Sequence, residues 1–267
     1  MNTFKGVADT LFIPLTARIY VSQRFPEYFY DSKAVELSSI LPDNNIQKNS
    51  SEYSMLASVA RSYTMDEMIK NFIAAHPTCT IINLGCGLET TCSRIASTTA
   101  TFYELDLPKV IESRRTLLKE QPHETYITGD LFNLEWTDCI EDRTCPTLFI
   151  AAGVFQYFHE AKILRLIKEL RSIFTKAELI FDATNKAGLA YAQRYVKKTG
   201  NTSAMMYFFV DNCETFANKA GVTLLEQRPF FTATQKILGR KISLSTRLIM
   251  KFADGLGRTK ILHLKLS

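Results

Sequence analysis

Apolar and polar residues alternate along this chain in two rhythms, and the change from one rhythm to the other outlines its elements. Short apolar runs rich in β-branched and aromatic residues predict seven strands, at residues 80–84, 100–106, 124–130, 146–153, 177–183, 222–230 and 258–266. Helical spacing separates them; in residues 159–174 it places Ile163, Leu166, Ile167 and Leu170 on one face. Strands that alternate with helices predict a doubly wound α/β fold with a parallel sheet.

Both ends of the chain depart from this alternation. Residues 52–75 predict a long helix before the first strand, and the polar residues 42–51 predict a loop. The connection 231–257 is far longer than a hairpin needs, so we expect helices within it. We therefore predict an N-terminal helical cap at residues 1–75 and a core at 76–267, together one compact unit, with a lid insertion at 231–257.

Charge is spread unevenly over the 267 residues. The formal net charge is +5, and the segment from Lys236 to Ser267 holds eight Lys and Arg residues against one acid, Asp254. The simpler interpretation is a solvated basic face, and the alternative is a patch for an anionic substrate, a membrane or nucleic acid. No aromatic stacking pattern accompanies these charges, so we expect no nucleic-acid partner.

Composition excludes several other classes. No run of eighteen apolar residues exists, so we expect no membrane span. The six cysteines form no CxxC pair and the four histidines are scattered, which predicts no metal site. The N-terminus is a poor signal peptide, so a cytoplasmic protein is expected.

The sequence "TIINLGCGLETT" (80–91) places a glycine turn between a strand and a helix. Gly85 and Gly87 allow a ligand to approach the backbone closely because they carry no Cβ. A dinucleotide would favour a third glycine, where this chain has Thr90. S-adenosylmethionine has no phosphate and needs only the first two glycines, so at this point both cofactor classes stay open.

Acids follow at the ends of the next two strands. Glu104 and Asp106 come 19 and 21 residues after Gly85, where a carboxylate can accept hydrogen bonds from ribose hydroxyls in either cofactor class. Asp130 ends the third strand and fits the adenine amino group of S-adenosylmethionine. Each of these acids can alternatively serve as a helix cap.

Four segments, in order and at matching spacing, carry a resemblance to a known family. They are "DTLFIPLTAR" (9–18), "INLGCGLETT" (82–91), "YELDLPKVIESRR" (103–115) and "LFIAAGVFQYF" (148–158). The chain resembles the leucine carboxyl methyltransferase family, and within it a bacterial branch similar to the tetracenomycin-type polyketide O-methyltransferases. The resemblance covers roughly residues 9–183. It implies the seven-stranded, Rossmann-like class I methyltransferase fold, an antiparallel last strand, and S-adenosyl-L-methionine as cofactor.

The resemblance also assigns cofactor-binding positions. Gly85 and Gly87 would line the methionine part of the cofactor. Arg61, on the helix before the first strand, would clamp its carboxylate, which suits the fork of a guanidinium group. Asp106 matches the ribose-binding acid, with Glu104 beside it.

The adenine-binding pair of the family corresponds to Asp130 and Leu131. Two positions depart from the family pattern: Ala152 replaces an acid that helps to hold the cofactor, and Glu89 replaces an aspartate of "GLDTR". The missing acid makes a non-catalytic S-adenosylmethionine-binding protein an alternative. A nicotinamide-dependent oxidoreductase is a further alternative, although no hydride-transfer site is recognisable.

Methyl transfer from a sulfonium mainly requires that the nucleophile is positioned and water excluded. We predict an O-methyltransferase for a carboxyl or hydroxyl group of a small, mainly apolar, polyketide-like molecule; a protein or peptide carboxylate is the alternative acceptor. Tyr157 is the candidate positioning residue. His159 either faces the substrate or simply begins the next helix.

The lid prediction names specific residues. The N-terminal segment and the 231–257 connection together should enclose the acceptor pocket. Leu15, Tyr20 and residues near Leu238 should then lie on the same side of the sheet as Gly85 and Tyr157.

Overall fold

The computed structural model of the protein describes residues 10–40 and 45–267, and its centre is a seven-stranded sheet. The strands are β1 Thr80–Leu84, β2 Thr101–Asp106, β3 Glu124–Thr128, β4 Thr147–Ala151, β5 Ala177–Thr184, β6 Thr223–Pro229 and β7 Thr259–Lys265. Their order across the sheet is β3-β2-β1-β4-β5-β7-β6. β7 pairs antiparallel with both β5 and β6, and the other strands are parallel. The predicted doubly wound sheet with an antiparallel last strand is confirmed.

Helices cover both faces of the sheet. Those after β1 are α5 Thr91–Ile95, α6 Pro108–Leu117, α7 Glu160–Ile173, α8 Lys186–Lys198, α9 Cys213–Ala220, α10 Thr232–Leu238 and α11 Leu244–Gly255. Successive residues of the central strands enter opposite cores: Ile81 and Leu148 pack in one, and Ile82 and Phe149 in the other. This two-residue alternation between two buried faces explains why β1 and β4 are buried along their whole length.

Four helices precede the sheet: α1 Phe12–Arg24, α2 Ser32–Glu36, α3 Asn45–Asn49 and α4 Glu52–Ala75. Ser51 caps α4 by accepting a hydrogen bond from the Ser54 amide at 3.1 Å. Val59, Met68 and Ile69 of α4 pack in the same core as β1 and β4, so the N-terminal helices share a hydrophobic core with the sheet.

The polar segment predicted as a loop needs a correction, because its residues 45–49 form helix α3. Ile46 packs beside Tyr157 and Val196, and this contact supports a short helix in a polar sequence. Residues 42–44 of that predicted loop, and residues 1–9 of the predicted cap, lie outside the described residues.

The long connection before β7 contains helices α10 and α11, as expected. Ser243 caps α11 by accepting a hydrogen bond from the Thr246 amide, and its hydroxyl donates to Glu52 at 2.7 Å. Leu238 at the end of α10 is fully buried against the core that contains α4. Across residues 10–40 and 45–267, no helix combines the length and apolar character needed to cross a membrane.

Candidate active site

A cavity of about 540 Å³ opens where the parallel strands end. Parallel strands bring their carboxyl ends to one edge of the sheet, and this edge is where ligands bind in such folds. The predicted residues that line the cavity are Arg61, Gly85, Gly87, Asp106, Asp130, Leu131 and Tyr157. Residues far apart in sequence are thus brought to one site.

The glycine turn after β1 depends on the absence of side chains. Gly85 has a φ of +69°, and a Cβ added there would lie 2.8 Å from Cγ2 of Val154. The amides of Gly85 and Cys86 both donate to the Leu105 carbonyl, at 2.8 and 3.0 Å. The turn is therefore fastened to the end of β2, in a conformation that L side chains rarely adopt.

Asp106 joins this turn to β2. One carboxylate oxygen accepts from the Gly87 amide at 2.8 Å and the other from the Leu107 amide at 2.7 Å. Burial raises the pKa of Asp106, although the hydrogen bonds from these two amides oppose the shift. Each carboxylate oxygen retains a lone pair that can accept a hydrogen bond from a ligand.

Glu104 does not line the cavity, which corrects its assignment beside the ribose. Its carboxylate is fully buried, and Arg114 Nη2 lies 3.6 Å away and also pairs with Glu124 at 2.9 Å. Burial raises the pKa of Glu104 to about 8, against the opposing attraction of Arg114. Glu104 points to the same side of β2 as Asp106 but lies two residues, about 7 Å, deeper below the strand end.

Asp130 and Leu131 form the cavity wall beyond β3. Asp130 is exposed at the rim, where its carboxylate accepts from the Phe132 amide at 2.9 Å, and Leu131 is buried. Nζ of Lys162, which also lines the cavity, lies 4.1 Å from the centre of the Phe132 ring. This end of the cavity thus offers one exposed carboxylate above apolar surface.

Arg61 is buried and faces an acid that sequence reasoning missed. Arg61 Nη1 lies 3.5 Å from Asp182 on β5, and Asp182 also accepts from the Gly153 amide at 2.5 Å. Asp182 therefore brings a carboxylate to the end of β4, next to Ala152, where the family acid is missing. The available signal was an acid within the apolar strand "AELIFDA". Among residues 10–40 and 45–267, the buried Arg61 Nε finds no hydrogen-bond partner.

A buried ionic network lies behind the glycine turn and joins it to the N-terminal helices. Arg18 of α1 contacts Asp31 at 2.9 Å and Glu89 at 2.5 Å. Arg94 contacts Asp66 of α4 through two hydrogen bonds of 2.8 and 2.9 Å, and Glu89 at 3.1 Å. The network fixes the position of the turn relative to α1 and α4.

Glu89 is the centre of this network. Burial alone would raise its pKa, but Arg18, Arg94 and Arg61 outweigh that effect and lower the pKa to about 2. Glu89 lines the cavity, and it therefore places a full negative charge in the cavity wall at neutral pH.

The outer half of the cavity is mainly apolar and comes from the part of the chain between β5 and β7. Residues from α8, from the segment after it, and from α11 line this half: Tyr191, Ala192, Tyr195, Val196, Met206, Ile249, Phe252 and Ala253. Arg258 lines it as well, with its guanidinium carbon 4.8 Å from the centre of the Phe252 ring. Sequence analysis assigned no site role to α8, whose aromatic residues are typical of any half-buried helix.

The lid segments do reach the cavity, but with residues other than those predicted. α1 contributes Ile13, Pro14 and Arg18, whereas Leu15 does not line the cavity and is buried in a cluster with Leu88. Tyr20 does not line the cavity. It lies seven residues, about 10 Å, along α1 from Ile13, which does line it.

Two further predicted positions lie outside the cavity wall. Leu238 packs into the core, and α11 replaces it at the cavity. His159 precedes the first residue of α7, and its ring centre lies 4.2 Å from that of Tyr207. His159 therefore occupies the N-cap position of α7 and is not part of the cavity wall. Tyr157 lines the cavity and donates a hydrogen bond to Thr10 at 3.3 Å.

Comparison with known proteins connects this cavity to one enzyme family. The sequence pattern of the family described as leucine carboxyl methyltransferase matches residues 12–171, more than half of the chain. The tetracenomycin polyketide synthesis O-methyltransferase TcmP of Streptomyces glaucescens is 26% identical over 200 residues, which are 74% of each protein.

Solved structures show the same fold at low sequence identity. A methyltransferase-like protein from Thermobifida fusca YX is similar with a TM-score of 0.58 and 14% identity, over 93% of both chains. The magnesium protoporphyrin IX methyltransferase of Synechocystis PCC 6803, solved with bound SAH, has a TM-score of 0.51 and 14% identity, over 94% of this chain and 99% of its own. The predicted fold class and methyltransferase activity are confirmed, and the chain belongs to the leucine carboxyl methyltransferase family.

Proposed function

We propose that the protein is an O-methyltransferase that methylates a carboxyl or hydroxyl group of a small, mainly apolar molecule. S-adenosylmethionine is the methyl donor of its family, so the cofactor prediction is confirmed by family membership. The observation that carries the acceptor proposal is one cavity with a polar end at the strand termini and an apolar outer half. The relative TcmP, named as a polyketide O-methyltransferase, supports the same acceptor class.

The polar end of the cavity has the groups that S-adenosylmethionine requires. The buried Arg61 guanidinium and the nearby Asp182 offer opposite charges for the carboxylate and ammonium of the methionine part. Asp106 can accept from ribose hydroxyls, and Asp130 with Leu131 can hold adenine. When bound, the cofactor supplies an activated methyl group, and the residues around it orient the acceptor and exclude water.

Two features next to the glycine turn, the short helix α5 and the ionised Glu89, disfavour a dinucleotide. A pyrophosphate usually binds at the N-terminus of a helix that follows the glycine turn, and α5 here is only five residues long. Glu89, ionised through its lowered pKa, also lines this end of the cavity and would repel a phosphate. These features support S-adenosylmethionine over a nicotinamide cofactor.

The outer half of the cavity favours a carboxyl over a hydroxyl acceptor. A hydroxyl benefits from a general base, but the groups available here are tyrosines and Arg258, and burial raises the pKa of Tyr195 further. A carboxylate is already ionised at neutral pH, and Arg258 can attract it. We assign Tyr157 the role of a positioning residue, whose hydroxyl can rotate its hydrogen from Thr10 to the acceptor.

Calorimetric titration of the purified protein should give saturable binding of S-adenosylmethionine and none of NAD. The Arg61→Lys variant should bind the cofactor roughly tenfold more weakly, because an ammonium cannot reproduce the guanidinium fork. Its matched control is Arg194→Lys, an exposed position on α8 that does not line the cavity. NAD binding in the parent would contradict the proposed cofactor, and full affinity in Arg61→Lys would remove Arg61 from the site.

A panel of aromatic and polyketide-like acids should yield methyl esters when methyl transfer from radiolabelled S-adenosylmethionine is measured. The matched controls are the same molecules already esterified, which should accept no methyl group. Methylation of phenols but not of acids would leave the O-methyltransferase proposal standing and reject the carboxyl preference. Methylation of peptide carboxylates alone would reject the small-molecule acceptor.

A further inference from the structure

Helix α11 carries an exposed apolar stripe, formed by Leu244, Leu248, Ile249 and Phe252 together with Leu256, the residue after its end. These five are among the twelve large apolar side chains exposed in the described chain, with 46–65% of their surface accessible. At 100° per residue they fall within an arc of about 140° on one side of the helix. Met250, on the opposite side, is buried in the core. The exposed stripe is therefore separate from the apolar face by which α11 packs into the core.

The α11 stripe begins at the mouth of the cavity. Ile249 and Phe252 both line the cavity and are exposed to solvent, so they lie at its opening. Leu244, Leu248 and Leu256 do not line the cavity and extend the apolar surface away from the opening. A continuous apolar surface thus leads from the exterior to the acceptor half of the cavity.

Basic side chains border the α11 stripe. The segment 236–256 has five Lys and Arg residues and one acid, Asp254. Lys241 pairs with Glu27 at 2.6 Å, whereas within the described residues Arg240, Arg247 and Lys251 have no ion pair. Asp254 is partly buried and accepts from the Phe231 amide. The charges that remain available around the stripe are positive.

We propose that α11 docks on the surface of an anionic lipid bilayer, with the stripe at the boundary between headgroups and acyl chains. A helix with an exposed apolar arc and unpaired Lys and Arg residues has the chemistry of helices that lie in this interface. Anionic headgroups complement Arg240, Arg247 and Lys251. A second copy of the chain fits less well, since a two-fold contact through this helix would bring the same positive side chains together.

Docking would hold the cavity mouth against the bilayer. An apolar acceptor dissolved in the membrane could then enter past Ile249 and Phe252 without crossing water. This consequence rests on the proposed function, whereas docking itself does not, because it requires neither cofactor nor methyl transfer.

Co-sedimentation with vesicles tests the docking without any activity measurement. The parent should bind vesicles of equal parts phosphatidylcholine and phosphatidylserine, bind phosphatidylcholine alone poorly, and lose binding as salt rises. The double variant Leu244→Gln/Leu248→Gln should bind at least about tenfold more weakly through the loss of apolar area. The variant Arg247→Gln/Lys251→Gln should lose about fivefold per charge.

Matched controls use the same substitutions elsewhere on the surface. Leu225→Gln on the edge strand β6 and Lys168→Gln on α7 change exposed residues and should leave vesicle binding unchanged. Thermal unfolding checks that each variant is folded. No binding by the parent at low salt, or equal binding by the leucine double variant, would overturn the proposal. A parent dimer that the leucine double variant separates into monomers, without vesicle binding, would assign the stripe to self-association instead.

Discussion

Asp106→Asn should weaken the binding of S-adenosylmethionine by roughly 10- to 100-fold, the expected loss of a charge-assisted hydrogen bond. The substitution removes the charge that faces the cavity, and the amide nitrogen can no longer accept from Gly87 or from ribose. Titration calorimetry of the purified variant measures the change directly.

The neighbouring acid on the same strand is the matched control. Glu104→Gln alters a carboxyl that is buried beside Arg114 and does not line the cavity, so cofactor affinity should stay within about twofold of the parent. The raised pKa of about 8 means that Glu104 is mostly neutral at pH 7, which makes glutamine a close substitute. Equal affinity of Asp106→Asn and the parent would remove Asp106 from the site. A large loss in Glu104→Gln would restore Glu104 to it.

Arg94→Met should lower the free energy of unfolding by about 3–5 kcal/mol, the cost of breaking a buried ion pair from one side. Arg94 is the ion-pair partner of Asp66, and its removal leaves that carboxylate buried without the guanidinium group that compensates it. Burial already raises the pKa of Asp66 against the opposing attraction of Arg94. Denaturant unfolding at pH 7 measures the change.

Arg165→Met provides the comparison at the surface. Arg165 also pairs with a carboxylate, Glu169 at 2.8 Å, but it is exposed on α7, so water screens the pair and its loss should leave the unfolding free energy nearly unchanged. Similar stability of Arg94→Met and the parent would show that the network contributes little to folding.

The contribution of Glu89 to the network should depend on pH. Its folded pKa is depressed to about 2, so this contribution is present above the unfolded pKa near 4.5 and should be lost as the pH falls from 4.5 towards 2.

Local pattern was sufficient for the framework of this protein. The predicted boundaries of the seven strands lie within two residues of those observed, because the two-residue and helical periods are set by neighbouring residues. The apolar face of α7 consists of the predicted Ile163, Leu166, Ile167 and Leu170. The glycine turn and Asp106 were likewise recognisable, since the backbone conformation and strand-end position that they need are local properties.

Tertiary packing alone decided which side chains reach the cavity. Glu104 and Asp106 are two residues apart and chemically alike, yet only their depth along β2 separates a carboxyl buried beside Arg114 from a cavity residue. Arg61 follows no local rule for burial, and its position depends on Asp182, 121 residues later in the chain. The sequence pattern of α11 did not reveal which of its apolar residues the core would leave exposed. Such contacts join residues distant in sequence, so the periodicity of a single segment carries no information about them.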